Sequence, residues 1–292
     1  RYCGYLCREL WRQAWATPFL FKKNNKMKPL TIKLKSQIQF RLDASFITTN
    51  NIKTSSQFKN LKIIYGNKLH KITNLFKVSG DDVKNIVIKS STNKIDNIGY
   101  KMKNMKITVF GHAGNSFGKE MLSGSLKIYG NTLDYTGAGI RGGNILVHGS
   151  TGKFLAGKPI GKNEGMLDGL IYIHGNVGDY SIERMRRGII VINGDIGSYC
   201  CSNMISGSIL IKGKIGNHFC DGIKRGTVIT TQKKTTLNYI PTNNSNLSFF
   251  NFYMKKLYGI IGKKIFPDRI KLQRFYGRQD SESLSEIFLI NK

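Results

Sequence analysis

The chain has 292 residues and 40% hydrophobic content, enough to bury a sizeable core, which excludes wholesale disorder. Its 46 Lys+Arg outweigh 17 Asp+Glu to give +29, front-loaded as +15 over residues 1–101 and +7 over each of 102–231 and 232–292. No apolar run approaches the ~20 residues of a membrane span, and five scattered Cys do not make a secreted disulfide framework, so a reducing cytoplasm is the expected setting.

Residues 1–26 hold both tryptophans, Trp11 and Trp15, and as many Arg as Lys, unlike the Lys-dominated chain downstream. The expectation is an extension outside the fold, with Met27 as the start of the protein proper. A basic amphipathic targeting helix is the competing reading, weakened by Glu9 and by the lack of a long apolar stretch. Cys3 and Cys7 have no nearby His or second Cys pair and carry no zinc site.

Residues 27–101 form a lead-in or cap, with strand-like tracts at Leu30–Leu34 and Ile86–Ile88. From 102 to 231 the chain repeats itself. Large apolar residues recur at Met102, Met121, Ile140, Met166, Met185, Met204 and Ile223, spaced 19 residues apart except for one step of 26, which is 19 plus a seven-residue insertion. Glycine ladders keep the same step: Gly124, Gly143, Gly169, Gly188, Gly207 and Gly226 in one register, and Gly111, Gly130, Gly149, Gly175, Gly194 and Gly213 in another.

Between these ladders lies a short apolar triplet, from Ile107-Thr108-Val109 to Val228-Ile229-Thr230. Its outer positions share one face because side chains alternate along a strand. A strand this short cannot stand alone, so the units must stack like on like. The predicted fold is all-β: a single-domain right-handed parallel β-helix of about seven coils. The middle positions, Leu146, Tyr172, Val191, Leu210 and Ile229, make an outward apolar stripe that must lie under the chain's own tail or against another subunit. Gly118, Gly137, Ala156, Ile182, Cys201 and Cys220 form a small inward column, in which the thiols read as packing rather than as a disulfide.

In the tail, 232–292, Leu247, Phe250, Met254, Leu257 and Ile261 keep helical spacing and predict a helix with one apolar face.

Several strings imitate binding motifs. Gly137 to Gly142 spells a dinucleotide fingerprint, but a strand follows it where a helix is required; Gly152 to Lys158 nearly spells a P-loop, but Pro159 stands where Ser or Thr is needed. His148 and His174 share a column with Phe110, Tyr129, Asn193 and Lys212, which reads as a surface ladder rather than a metal site. No carboxylate pair, activated nucleophile or Cys/His cluster has usable spacing, so neither catalytic residues nor metal ligands are assigned.

The repeat resembles the GXGXG β-helix domain of the glutamate synthase large subunit and of the C-type subunit of formylmethanofuran dehydrogenase. The strings LTIKLKSQIQFRLD (30–43), LFKVSGDD (75–82), GKPIGKNEGM (157–166) and ERMRRG (183–188) are similar to the C-type relatives in methylotrophic bacteria, which belong to the formyltransferase/hydrolase complex. The likeness runs from about Met27 to the C-terminus and is densest over 99–231. The high Lys content and the N-terminal extension depart from the pattern.

The resemblance implies a noncatalytic scaffolding partner in tetrahydromethanopterin-linked one-carbon metabolism, assembling with subunits A, B and D. It places the hydrolase metals in A, the transferase site in D and any pterin cofactor in B, so this chain alone binds no cofactor. Arg184, Arg186 and Arg187, with Arg141, Lys224 and Arg225, could attract the acidic arm of a methanofuran-like carrier; the plainer reading is a solvated or subunit-facing basic edge. The charge also admits a polyanion- or nucleic-acid-binding β-helix, although heavy use of Lys, Asn and Ile throughout offers background composition as a simpler source.

Overall fold

The computed structural model describes residues 27–49, 52–233, 239–242, 247–262, 264, 271–278 and 282–291; the predicted extension over 1–26 lies outside the described residues. The lead-in holds β1 (Pro29–Leu34), β2 (Leu42–Asp43), helices α1 (Phe46–Thr49) and α2 (Ser55–Lys59), strands β3 (Lys62–Tyr65) and β4 (Lys68–Lys71), helical turn α3 (Ile72–Leu75), β5 (Phe76–Ser79), β6 (Asp82–Ser91) and β7 (Ile95–Asp96). Each repeat then gives one strand: β8 (Met105–Gly111), β9 (Gly124–Tyr129), β10 (Asn144–Val147), β11 (Leu170–Ile173), β12 (Ile189–Ile192), β13 (Ser208–Ile211) and β14 (Thr227–Thr230). The tail adds β15 (Tyr239–Thr242), helix α4 (Leu247–Ile261), β16 (Lys271–Arg278) and β17 (Glu286–Asn291).

The repeat strands pair in parallel without a break in register. Ile107, Leu126, Ile145, Ile171, Ile190, Ile209 and Val228 lie over one another, as do Val109, Ile128, Val147, Ile173, Ile192, Ile211 and Thr230, and all are fully buried. Burying an aliphatic side chain is worth about 1.5–3 kcal/mol, so these two columns supply much of the core. A second line of parallel bridges joins Thr151, Val177, Ile196 and Ile215 on another side of the repeat.

The stack is longer than the seven units legible in the sequence. At one end β6 and then β1 continue it, with Ile86 beside Ile107 and Leu30 beside Ile86; at the other, β17 sets Ile287 against Val228. β5 closes the first end antiparallel, and β16 followed by β15 closes the second. The tail is therefore a helix plus three strands, not a helix alone.

Corners between strands use left-handed backbone at alternate residues. Tyr199, Cys201 and Asn203 have φ of 57°, 62° and 53°. Their N–H groups point alternately along the stack: Tyr199 and Asn203 donate to the carbonyls of Asn217 and Asp221, and Cys201 donates to that of Ser181. Left-handed backbone costs a non-glycine residue about 1–2 kcal/mol, and satisfying buried backbone polar groups offsets that cost.

Side chains continue the hydrogen bonding along the corners. Asn131 Oδ1 accepts from the Ser150 amide at 2.9 Å, Asn176 Oδ1 from Asp195 at 2.9 Å, and Asp195 Oδ1 from Lys214 at 2.7 Å. A parallel ladder runs from Asp134 to the Lys153 amide at 2.8 Å and from Asp179 to the Ser198 amide at 2.9 Å.

Helix α4 covers the outward apolar stripe. Phe250, Met254 and Leu257 are buried together with Tyr172, Val191, Leu210 and Ile229, so the chain's own tail, rather than a second subunit, dries this face. Ile261 packs at the margin of the same cluster; the Leu247 side chain is outside the described residues. No helix among the described residues is long and apolar enough to cross a membrane.

Candidate functional site

The seven-residue insertion leaves the stack after Ala156 and rejoins it at Met166, whose amide donates to the Ala156 carbonyl at 3.0 Å. It lies across two corners, those of Glu120–Arg141 and of Glu183–Arg187. Lys162 Nζ sits 2.9 Å from Glu120 Oε1, and Lys101 Nζ 3.8 Å from Glu120 Oε2. Burial pushes the Glu120 carboxyl up, but the Lys162 hydrogen bond and the charges of Lys162, Lys101 and Lys119 together hold it below the usual range. Lys158 pairs with Glu183 at 3.2 Å, and Arg186 with Glu164. Arg184 donates to the Asn163 carbonyl at 3.4 Å.

Beside these pairs a cleft of about 330 Å³ is lined by Gly139, Arg141, Lys162, Asn163, Glu164 and Leu167. Gly139 has φ +64°, and a β-carbon there would stand 2.4 Å from the Pro159 ring, so glycine lets the insertion lie close. The cleft gathers more cationic than anionic side chains, an arrangement suited to a carboxylate-bearing ligand or an acidic neighbour.

The predicted arginines are thus only partly a free basic edge. Arg184 and Arg186 tie down the insertion, and Arg187 sits near Asp168, whose carboxyl burial pushes up while the Gly169 amide and the Arg187 charge pull it back. The backbone register places Arg141, Leu167, Arg186, Ile205 and Lys224 in one column, each amide donating to the repeat before it. Basic residues therefore alternate with aliphatic ones along this column. Glu120, Lys162 and Glu164 carry no motif; the only sequence signal for them is the insertion itself.

Carboxylates and histidines of the repeat are held in place by neighbours. Glu120, Glu164 and Glu183 are in ion pairs, Asp134, Asp179 and Asp195 accept amides of the next repeat, Asp168 accepts the Gly169 amide at 2.7 Å, and Asp221 lies 3.4 Å from His218. His112 accepts the Asn131 amide, His148 stacks on Tyr129 with ring centroids 4.6 Å apart, and His174 contacts Asn193 at 3.3 Å. Among the described residues no cluster of three or more His, Cys, Asp or Glu could hold a metal ion.

A second ladder, not singled out from the sequence, keeps the same step as the glycine columns. Tyr135, Phe154, Tyr180, Tyr199 and His218 stack ring on ring, with centroid spacings of 4.8, 5.8, 5.2 and 4.6 Å. All five have positive φ, which aims each ring along the same corner. The small column reads as expected: Ala156, Ile182, Cys201 and Cys220 are buried, and Cys201 and Cys220 remain thiols.

A family model described as the GXGXG motif matches residues 67–250. Among solved structures, a chain of the formyltransferase/hydrolase complex (FhcABCD) from Methylorubrum extorquens, crystallised in complex with methylofuran, matches with a TM-score of 0.77 at 24% identity, covering 90% of this chain and 100% of that one. At that identity the likeness speaks for the fold. No curated protein matches the chain.

Proposed function

The chain belongs to the GXGXG-motif family, and from that premise we propose that it is the noncatalytic scaffolding subunit of a formyltransferase/hydrolase-type complex, in the C-type position beside the A, B and D subunits. The likeness to a chain of such a complex, over 90% of this chain and all of that one, supports this reading, and so does the antiparallel closure of the stack at both ends. The winding we infer is a right-handed parallel β-helix with 102–231 as its body, 27–101 as lead-in and 232–292 as tail. Two separate lines of parallel bridges, both stepping by 19 residues except across the insertion, support it.

The observation that carries the noncatalytic reading is the engagement of seven of the repeat's eight carboxylates in ion pairs or with backbone amides, Asp221 alone lying beside a histidine, which leaves those seven as structural acceptors rather than poised acids or bases. In this reading metals and the reacting end of a methanofuran-like carrier belong to subunits A, B and D. The cleft at Arg141 and Lys162, bordered by Arg184, Arg186 and Arg187, faces either an acidic stretch of that carrier or an acidic neighbour.

Co-expression with the A, B and D subunits tests the proposal. The expected result is a stoichiometric assembly with formyl-transfer activity, and no turnover by this chain alone. Turnover of a formyl carrier by the isolated chain, or failure to join the other three, overturns it.

A further inference from the structure

Strands β3 and β4 form a hairpin that, among the described residues, joins no other sheet. Its two faces differ. Ile63 is buried and Tyr65 and His70 are half-buried, so one face rests on the lead-in core. On the other, Ile64 and Leu69 are directly opposite each other and 71% and 61% exposed, an unusual state for two large aliphatic side chains at a cross-strand pair. Phe40, 57% exposed, stands by the inner face near the hairpin tip, its ring 5.8 Å from that of Tyr65.

On this same face Lys62 and Lys71 are also directly opposite each other. Like charges in that relation destabilise a hairpin, and an anion between them would relieve the repulsion. None is at hand in the sequence: between Asp43 and Asp81 there are six Lys and no Asp or Glu. Charge also argues against the chain's own candidates. A second copy carries +29, and residues 1–26 have six basic residues against Glu9 alone.

We infer that the outer face of the β3–β4 hairpin docks into an acidic, apolar-centred recess on another protein subunit, with Ile64 and Leu69 at the centre and Lys62 and Lys71 at the rim. An apolar centre with a charged rim is the anatomy of a protein interface, whereas a nucleic acid would leave the aliphatic pair without apolar partners. The inference rests on the proposed assembly with other subunits, and its test separates the two.

The experiment uses the full chain co-expressed with the A, B and D subunits. Wild type that fails to assemble removes the assembly proposal, and the hairpin inference with it. Given assembly, Ile64→Glu with Leu69→Glu should weaken association at least tenfold while leaving the thermal unfolding of the isolated chain unchanged. Lys62→Glu with Lys71→Glu should weaken it too, and carbodiimide should link Lys62 or Lys71 to a partner's carboxylate. Unchanged affinity for both double variants overturns the inference, as does equal amine labelling of these lysines in the free chain and the complex. Binding of the hairpin face to phosphatidylserine vesicles but not to the subunits would overturn it as well.

Discussion

The terminal methyl of Met185 lies 2.6 Å from the point where a β-carbon on Gly207 would stand. The relationship repeats along the stack: Met121 meets Gly143 at 2.5 Å, Met166 meets Gly188 at 2.5 Å and Met204 meets Gly226 at 2.7 Å. The methionine column and the glycine column are therefore one device, each thioether filling the space that the next glycine leaves.

Gly207→Ala should destabilise the protein for two reasons, because φ is +114° there and the Met185 methyl blocks the added carbon. Backbone strain alone amounts to about 1–3 kcal/mol. Thermal unfolding should shift down by several degrees, and Gly207→Ala combined with Met185→Ala, itself a cavity-forming change, should cost less than the sum of the two single variants. A single variant as stable as wild type would contradict this packing.

Ile192→Asp places a carboxylate between Ile173 and Ile211 in a fully buried column. An unpaired buried charge has no route to water, so the variant should be insoluble or unfolded at 25 °C. Lys127→Asp, on the half-buried outer face where its ammonium lies 4.5 Å from the Tyr129 ring centroid, should cost far less, about 1 kcal/mol. Circular dichroism melts of the pair provide the comparison.

Phe250→Ala should cost about 3 kcal/mol, since the ring is 2% exposed and packs on the stripe of Val191, Leu210 and Ile229. Partial lifting of α4 would expose that stripe. The expected signs are a lower Tm and increased binding of a hydrophobic dye before the main transition.

Glu120 makes stability depend on pH in a defined direction. Its folded-state value is held low, so its contribution is present above the unfolded value of about 4.3 and is lost as pH falls through the folded value. Lys162→Gln removes the principal hydrogen bond and charge and leaves burial dominant, raising the Glu120 value. The variant should be less stable than wild type at neutral pH, and the gap should narrow below about pH 4. Denaturant melts between pH 3 and 7 measure it; a gap that is constant with pH would refute the role of this pair.

Cys200, Cys201 and Cys220 should resist thiol reagents in the folded protein. Burial pushes Cys200 up to about 12, and burial with a hydrogen bond to Cys220 pushes Cys201 well above the ordinary thiol range. Peptide mass spectrometry after maleimide treatment at pH 8 should find these three unmodified until denaturant is added.

The stack was legible because its residues repeat: an Ile over an Ile and a Gly over a Gly announce a shared environment at a fixed step. The strands β1 and β6 were legible as the tracts Leu30–Leu34 and Ile86–Ile88, but their place in the stack, like that of β17, was hidden because they supply the same buried pair, such as Ile86 and Ile88 or Ile287 and Leu289, without the glycine ladders. The aromatic ladder keeps that step too, but its corner geometry was hidden for another reason. Positive φ is read from Gly or Asn, yet here Tyr180, Tyr199 and Phe154 adopt it, because neighbours above and below hold the corner in shape. At the candidate site the arginines were legible as a cluster, but their partners were not. Glu164 meets Arg186 and Glu120 meets Lys162 only because the insertion folds back across two corners, a relation between residues far apart in the chain.

Backbone amides that reach alternately forward and back tie every corner to both neighbours, so extra residues have few places to go. The seven additional residues bulge out as a loop before Met166, after which the original alignment resumes. Length in this molecule is accordingly quantised: the gain or loss of a whole 19-residue course preserves every contact above and below it, whereas any other change must be expelled to the surface or shear the entire column.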